Sequence, residues 1–185
     1  MICSKCFLQV ILVKLSRRDY HPKEYWALAA TWNPKRFKPH QWVKTAKEAG
    51  FKYIVLTTKH HDGYAMWPSN YGNFGVKQKI NGRDLVGEFV KACHENQLKV
   101  GLYFSPPDWY YDADYINWDY SEKSILNIYH QPIQQLPHKP ASHEENRKKM
   151  VASQVRELLT NYGRIDLMWF DGGHGEISND EIRRL

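Results

Sequence analysis

Three short runs constrain this chain more than anything else in it: Tyr53-Ile54-Val55-Leu56-Thr57-Thr58, Lys99-Val100-Gly101-Leu102-Tyr103-Phe104 and Ile165-Asp166-Leu167-Met168-Trp169-Phe170. Each is continuous rather than alternating in polarity, rich in β-branched or aromatic residues, and too short for a helix, which is the pattern of a buried strand. A helical pattern precedes each one. Pro39 to Ala49 buries Trp42, Val43 and Ala46 and meets Gly50 where a left-handed C-terminal cap belongs. Asp84 is a good N-cap for a helix with Leu85, Val86, Phe89, Val90 and Cys93 on one face. Ser142 to Tyr162 carries Val151, Val155, Leu158 and Leu159 and stops at Gly163. Buried strands need helices on their faces and crossovers between them, so the expected class is α/β with parallel βα units.

The unusual residues fall just after the strands: Lys59-His60-His61-Asp62-Gly63, Ser105-Pro106-Pro107-Asp108-Trp109 and Asp171-Gly172-Gly173-His174. Parallel α/β proteins bind ligands at the carboxyl ends of their strands, so these three segments point at one site. His60 and His61 could ligate a metal or hydrogen-bond a polar ligand, or merely cap a loop. Both reach one site only if the backbone leaves strand geometry there, and Gly63 makes that turn easy. Asp171 follows an apolar run and sits at the mouth of the sheet, unless it is the N-cap of the next helix. Asp108-Trp109 after two prolines reads as a rigid turn whose aromatic face either stacks on a sugar or packs the long loop. Tyr103, inside a strand, has core packing as its plain role. The segment from Asp19 to Lys38 lacks periodicity and reads as a surface connector. Ser105 to Ala141 is long for a βα loop, and its aromatic content favours a functional loop.

Composition removes several classes. With 185 residues, 42% of them hydrophobic, the chain can bury a core, and disorder is not expected. Its longest apolar stretch, Cys6 to Val13, is far below the ~20 residues of a membrane span, and no cleavage site marks it as a signal peptide. Twenty-six basic against 20 acidic side chains give +6, but the basic residues are dispersed and form no nucleic-acid motif. Three cysteines cannot close a disulfide framework, Cys3 and Cys6 lack a second zinc-ligand pair, and Cys93 reads as core. No nucleic acid, membrane, metal or cofactor is expected.

Taken together, the block from Lys47 through His60-His61-Asp62-Gly63-Tyr64, Arg83-Asp84-Leu85-Val86-Gly87-Glu88, Gly101-Leu102-Tyr103-Phe104-Ser105 and Asp166-Leu167-Met168-Trp169-Phe170-Asp171-Gly172 resembles the family 29 glycoside hydrolases, the α-L-fucosidases. The resemblance covers roughly residue 19 to the end and leaves 1–18 unmatched. It implies a partial (βα)8 TIM-like barrel, about strands two to four with their helices. It also implies hydrolysis of α-L-fucosides in fucosylated glycoconjugates with retention of configuration. By position, Asp171 matches the family's nucleophile, His60 and His61 the pair that hydrogen-bonds fucose hydroxyls, and Tyr103 a tyrosine lining the sugar pocket. Trp109 matches an Asp-Trp pair after that strand. The family is generally secreted, periplasmic or lysosomal, and the N-terminus carries no clear address.

Two departures accompany the match. No general acid/base is identifiable, and the family's opening Phe-x-x-His-Trp-Gly strand has no counterpart, so the chain is expected to be an incomplete fragment. A (βα)8 barrel typically needs ~250 residues, which makes this about half of a catalytic domain. A half-built barrel exposes sheet edges, so self-association is expected. The rival readings are a non-catalytic carbohydrate-binding protein and a metal-dependent barrel hydrolase using His60, His61, Asp108 and Asp171.

Overall fold

The structure, a computed structural model, describes residues 20–185. The apolar stretch Cys6 to Val13, Cys3, and the boundary at residue 18 lie outside the described residues. Strands β1 (Tyr53–Lys59), β2 (Lys99–Phe104) and β3 (Leu167–Phe170) form one parallel sheet in the order β1-β2-β3. The α/β reading therefore holds. β3 begins two residues later than its apolar run because Asp166 substitutes for a ladder position: its N–H donates to the Val100 carbonyl at 2.9 Å while its carboxylate accepts the Val100 N–H at 2.9 Å.

Among the described residues six α-helices accompany the strands: α1 (Pro22–Ala27), α2 (Pro39–Glu48), α3 (Val76–Lys79), α4 (Leu85–Glu95), α5 (Ala141–Thr160) and α6 (Asn179–Arg184). Their boundaries follow local chemistry. α2 opens on Pro39, whose fixed φ suits a first turn, and ends before Gly50 at φ +82°. At the start of α4 the Asp84 carboxylate accepts the Gly87 N–H at 2.8 Å and also receives the Tyr162 hydroxyl at 2.9 Å. The main core lies between sheet and helices, where Val43, Leu85, Cys93, Val100, Leu102, Phe104, Val155 and Leu158 are all fully buried.

Three expectations are corrected. The connector around residues 20–38 contains α1, started by His21 and Pro22, and it buries Tyr25 and Trp26. Those two pack with Phe74, Trp118 and Leu126 into a second, smaller core. Much of the aromatic content of the 105–141 segment is thereby accounted for by packing. The strands are also not equally buried. β2 is enclosed from Val100 onward, whereas Tyr53 at the start of β1 is 53% exposed, and Leu167 and Trp169 on β3 are 38% and 48% exposed.

Candidate active site

The site begins with an irregularity in β1. Thr57 pairs with Tyr103 but Lys59 pairs with Phe104, leaving Thr58 as an extra residue whose hydroxyl donates to the Tyr103 carbonyl at 2.8 Å. Such bulges re-aim the side chains beyond them. Lys59 turns fully inward and His60-His61 leave the strand. The turn closes when the Gly63 N–H donates to the His60 carbonyl at 3.0 Å, with Gly63 at φ +86°. Any Cβ at that position would overlap the Asp108 carboxylate and the Tyr110 side chain.

Both histidines consequently face the residues that follow β2 and β3. Their rings lie 4.7 Å apart, and His60 stacks on Tyr103 at 5.3 Å with 14° between the planes. The buried Tyr103 hydroxyl donates to the Asp171 carboxylate. Asp171 is anchored as well by its own N–H on the Phe104 carbonyl at 3.2 Å. Ligand-capable atoms of His60, His61 and Asp171 all fall within 4.8 Å of one another. The capping role weighed for Asp171 belongs instead to Ser178, which caps α6.

The electrostatics keep this trio's partners in defined states. Partial burial, then the neighbouring His61, push the His60 pKa down to about 4 against the pull of Asp171. Burial also lowers His61, so both rings are neutral near pH 7. Tyr103 is held well above the usual phenol range by burial and by its bond to Asp171, so its hydroxyl keeps its proton and stays a donor.

Trp109 borders the site, its N–H on the His61 carbonyl at 2.6 Å and its ring edge-on to His61 at 5.3 Å. The same ring also meets Trp118 at 6.0 Å, which is the loop-packing role its position suggested. Asp108 does not join the trio. It is buried, ion-paired with Lys59 at 3.1 Å and accepting the Tyr111 N–H at 2.9 Å. The four-ligand metal set that includes Asp108 is therefore not assembled. His60 is also ill-suited as a ligand: its Nδ1 accepts the His61 N–H at 2.8 Å, which in a neutral ring puts the proton on Nε2 and removes the lone pair a metal needs.

Sequence reasoning missed the supports of this site. Asp62 is buried and pushed up to about 6 by that burial. It accepts the Tyr25 hydroxyl and the Tyr64 N–H, while its carbonyl takes the Trp26 indole N–H at 3.1 Å. Lys59 reaches Gln154 of α5 at 2.9 Å as well as Asp108, joining two strand ends to a helix. Ser105, the residue after β2, bridges His61 Nδ1 and the Pro107 carbonyl. Only their places in the strand-end segments could have flagged Asp62, Lys59 and Ser105.

Comparison with known proteins fits this geometry. A sequence model described as alpha-L-fucosidase matches residues 9–184. Alpha-L-fucosidase 1 of Arabidopsis thaliana is 36% identical over 152 residues, covering 80% of this chain and 25% of the plant protein. The tissue alpha-L-fucosidase of Mus musculus is 40% identical over 88 residues, covering 47% of this chain and 20% of the mouse protein. Among solved structures, a GH29 alpha-L-fucosidase from Bacteroides thetaiotaomicron superposes with a TM-score of 0.67 at 32% identity, over 86% of this chain and 32% of that one. This chain thus spans about a quarter of the length of the plant relatives it matches. By family match, identity and superposition, it belongs to the α-L-fucosidase family, glycoside hydrolase family 29.

Proposed function

We propose that residues 19–185, within a family match that begins at residue 9, supply the nucleophile side and one wall of the sugar pocket of a retaining α-L-fucosidase. The three-stranded sheet is read as strands two to four of a (βα)8 barrel. Asp171 attacks the anomeric carbon of an α-L-fucoside and forms a glycosyl ester that water then hydrolyses. His60 and His61 hold fucose hydroxyls, Tyr103 orients Asp171 and lines the pocket, and Trp109 forms the rim. One observation carries the reading: the Asp171 carboxylate, aimed by a protonated tyrosine, shares a 4.8 Å cluster with two neutral histidines at the carboxyl end of a parallel sheet. A relative supports the chemistry, since the Bacteroides thetaiotaomicron enzyme is described as a trapped covalent intermediate with 2-fluoro-fucosyl fluoride.

Retaining hydrolysis needs a second carboxyl about 5 Å from the nucleophile. Among the described residues, no carboxylate joins Asp171 and the histidines within 4.8 Å, so the proton donor has to come from outside that group. The first half of the reaction is accordingly the sharper test. Incubation with 2-fluoro-fucosyl fluoride, whose good leaving group lessens the need for an acid, should add one fluorofucosyl mass to the peptide containing Asp171, and Asp171→Gly should abolish it. Labelling elsewhere, or fucose binding with no labelling, would replace this reading with a carbohydrate-binding role.

We also propose self-association through the open sheet. Among the described residues the outer edges of β1 and β3 pair with no strand, and Tyr53, Leu167 and Trp169 are exposed beside them. Sedimentation velocity should show concentration-dependent dimers or larger species that Trp169→Lys weakens. A monomer at every concentration would refute it.

A further inference from the structure

We propose that Ser105 is a positioning residue that holds His61 as a hydrogen-bond acceptor, so that His60 and His61 present one donor and one acceptor to a pair of sugar hydroxyls. The ligand half of this statement rests on the fucoside reading above; the assignment of the two rings does not.

The argument is one of counting protons. A serine hydroxyl has a single hydrogen to donate. Ser105 is fully buried, and its Oγ lies 2.9 Å from the Pro107 carbonyl oxygen and 2.8 Å from His61 Nδ1. A carbonyl can only accept, so the Ser105 hydrogen belongs to Pro107, and the second contact is a hydrogen bond only if His61 Nδ1 carries a hydrogen of its own. The reverse arrangement would press two oxygen lone pairs together at 2.9 Å in a place that water does not reach. His61 is therefore the Nδ1–H tautomer, and its Nε2 offers a lone pair. That atom faces the segment after β3: a Cβ added to Gly172 would lie 3.3 Å from it.

His60 is fixed the opposite way. The His61 backbone N–H can only donate, and it reaches His60 Nδ1 at 2.8 Å, which leaves the hydrogen of the neutral ring on Nε2. Burial keeps both rings neutral through neutral pH, so the pattern persists there. Two identical neighbours in sequence become unlike in function: His60 gives a hydrogen bond through Nε2 and His61 receives one. A hydroxyl can do either, and two adjacent hydroxyls can satisfy both at once. A carboxylate or phosphate would meet the His61 lone pair with none of the hydrogen it requires. The pair selects an uncharged polyol, and Ser105 is what makes it do so.

Long-range proton–nitrogen correlation spectra of the full chain labelled at histidine nitrogen report the tautomer of each ring directly. His60→Gln and His61→Gln assign the two rings among the nine histidines. The expected result at pH 7 is His60 as Nε2–H and His61 as Nδ1–H. In Ser105→Ala the His61 tautomer ratio should move about fivefold or more toward Nε2–H, the equivalent of one ordinary neutral hydrogen bond, with His60 unmoved. Ser105→Thr, which keeps the hydroxyl, should retain the wild-type ratio. His61 found as Nε2–H in the wild-type chain, or a ratio unmoved by Ser105→Ala, would overturn the proposal. Should Ser105→Ala not fold, the wild-type and Ser105→Thr spectra still decide. None of these readouts uses turnover: the expected tautomers in a chain that 2-fluoro-fucosyl fluoride never labels would defeat the fucosidase reading and leave the role of Ser105 standing.

Discussion

Lys59→Met should be among the most damaging single changes in the chain. The Lys59 side chain is fully buried, with Nζ 3.1 Å from Asp108, 2.9 Å from Gln154 and 4.6 Å above the Phe104 ring. Methionine fills much of the same volume but leaves the Asp108 carboxylate, 6% exposed, with the Tyr111 N–H as its remaining donor among the described residues. Removing one partner of a buried pair costs ~3–5 kcal/mol, because the surviving charge has neither water nor a counter-ion. Against a total stability of ~5–15 kcal/mol that is a large share. Urea unfolding with a constant m-value measures it. The double change Lys59→Met with Asp108→Leu removes both charges together and loses the neutral-partner bonds of the Tyr111 N–H and the Gln154 oxygen, ~1 kcal/mol each. The double variant should therefore be more stable than Lys59→Met alone. A double variant as unstable as the sum of the two single ones, or a Lys59→Met within ~1 kcal/mol of wild type, would show that Lys59 is not an obligate counter-ion.

Three further outcomes are expected from the same contacts. Glu157→Leu removes the acceptor of the Trp67 indole N–H (2.9 Å), the Ser69 hydroxyl (2.6 Å) and the Asn70 N–H (2.9 Å). The single Ser69 hydroxyl hydrogen turns to the Tyr71 carbonyl, but the buried Trp67 N–H is orphaned, so urea titration should show a loss of ~2–4 kcal/mol, and adding Trp67→Phe should recover about 1 kcal/mol of it. With the His60 pKa down to about 4 in the folded chain and 6.5 when unfolded, the folded state binds fewer protons between those values. Its contribution to stability accordingly rises with pH across that window and is lost as pH falls. Asp62, raised to about 6 from 3.8, has the opposite sign, since the folded state there binds more protons and stability falls as pH rises through the window. His60→Gln should therefore tilt the urea midpoint between pH 4 and 6.5 toward the Asp62 slope, and an unchanged profile would refute the His60 assignment. Tyr103→Phe removes a hydrogen bond to a charged partner, worth ~1.5–3 kcal/mol, so fluorofucosyl labelling of Asp171 should slow by about 10- to 100-fold. A rate unchanged in Tyr103→Phe would show that the phenol does not orient the carboxylate.

What the sequence made legible is what depends on short-range pattern. The three strands announce themselves because Leu56, Val100, Leu102 and Phe104 lie in unbroken apolar runs, and their parallel order follows from the helices between them. His60, His61 and Asp171 were visible because strand ends are where a parallel sheet gathers its chemistry, whereas Tyr103, inside a strand, is singled out only by the family resemblance. What stayed hidden depends on contacts between residues far apart in the chain. Tyr25 and Trp26 sit in a stretch with no period, and only their bonds to Asp62, 37 and 36 residues away, show why that stretch is helical and buried. Lys59 reads as the start of a polar segment, yet the bulge at Thr58 carries it into the core to meet Asp108 and Gln154, 49 and 95 residues on. The half-open state of β3 was equally invisible, because composition records that Leu167 and Trp169 are apolar and not whether anything covers them.

The histidine pair shows why a residue-by-residue choice between structural and functional roles is the wrong question at such a site. His60 does cap a local backbone N–H, the plain role open to it, but it does so with Nδ1 alone. Committing that nitrogen fixes the proton on the other one, so the cap is what turns the opposite edge of the ring into a donor. His61 spends its Nδ1 on Ser105 with the opposite result. Had either ring been free to turn, two adjacent imidazoles would present an interchangeable mixture of donors and acceptors, and a ligand would have to select one arrangement at a cost in affinity. The contacts that look merely structural remove that cost beforehand. The same holds for Tyr103, whose burial in β2 keeps its hydroxyl protonated and therefore a donor to Asp171. At this sheet mouth the packing assigns the protons, and the assigned protons define which ligand fits.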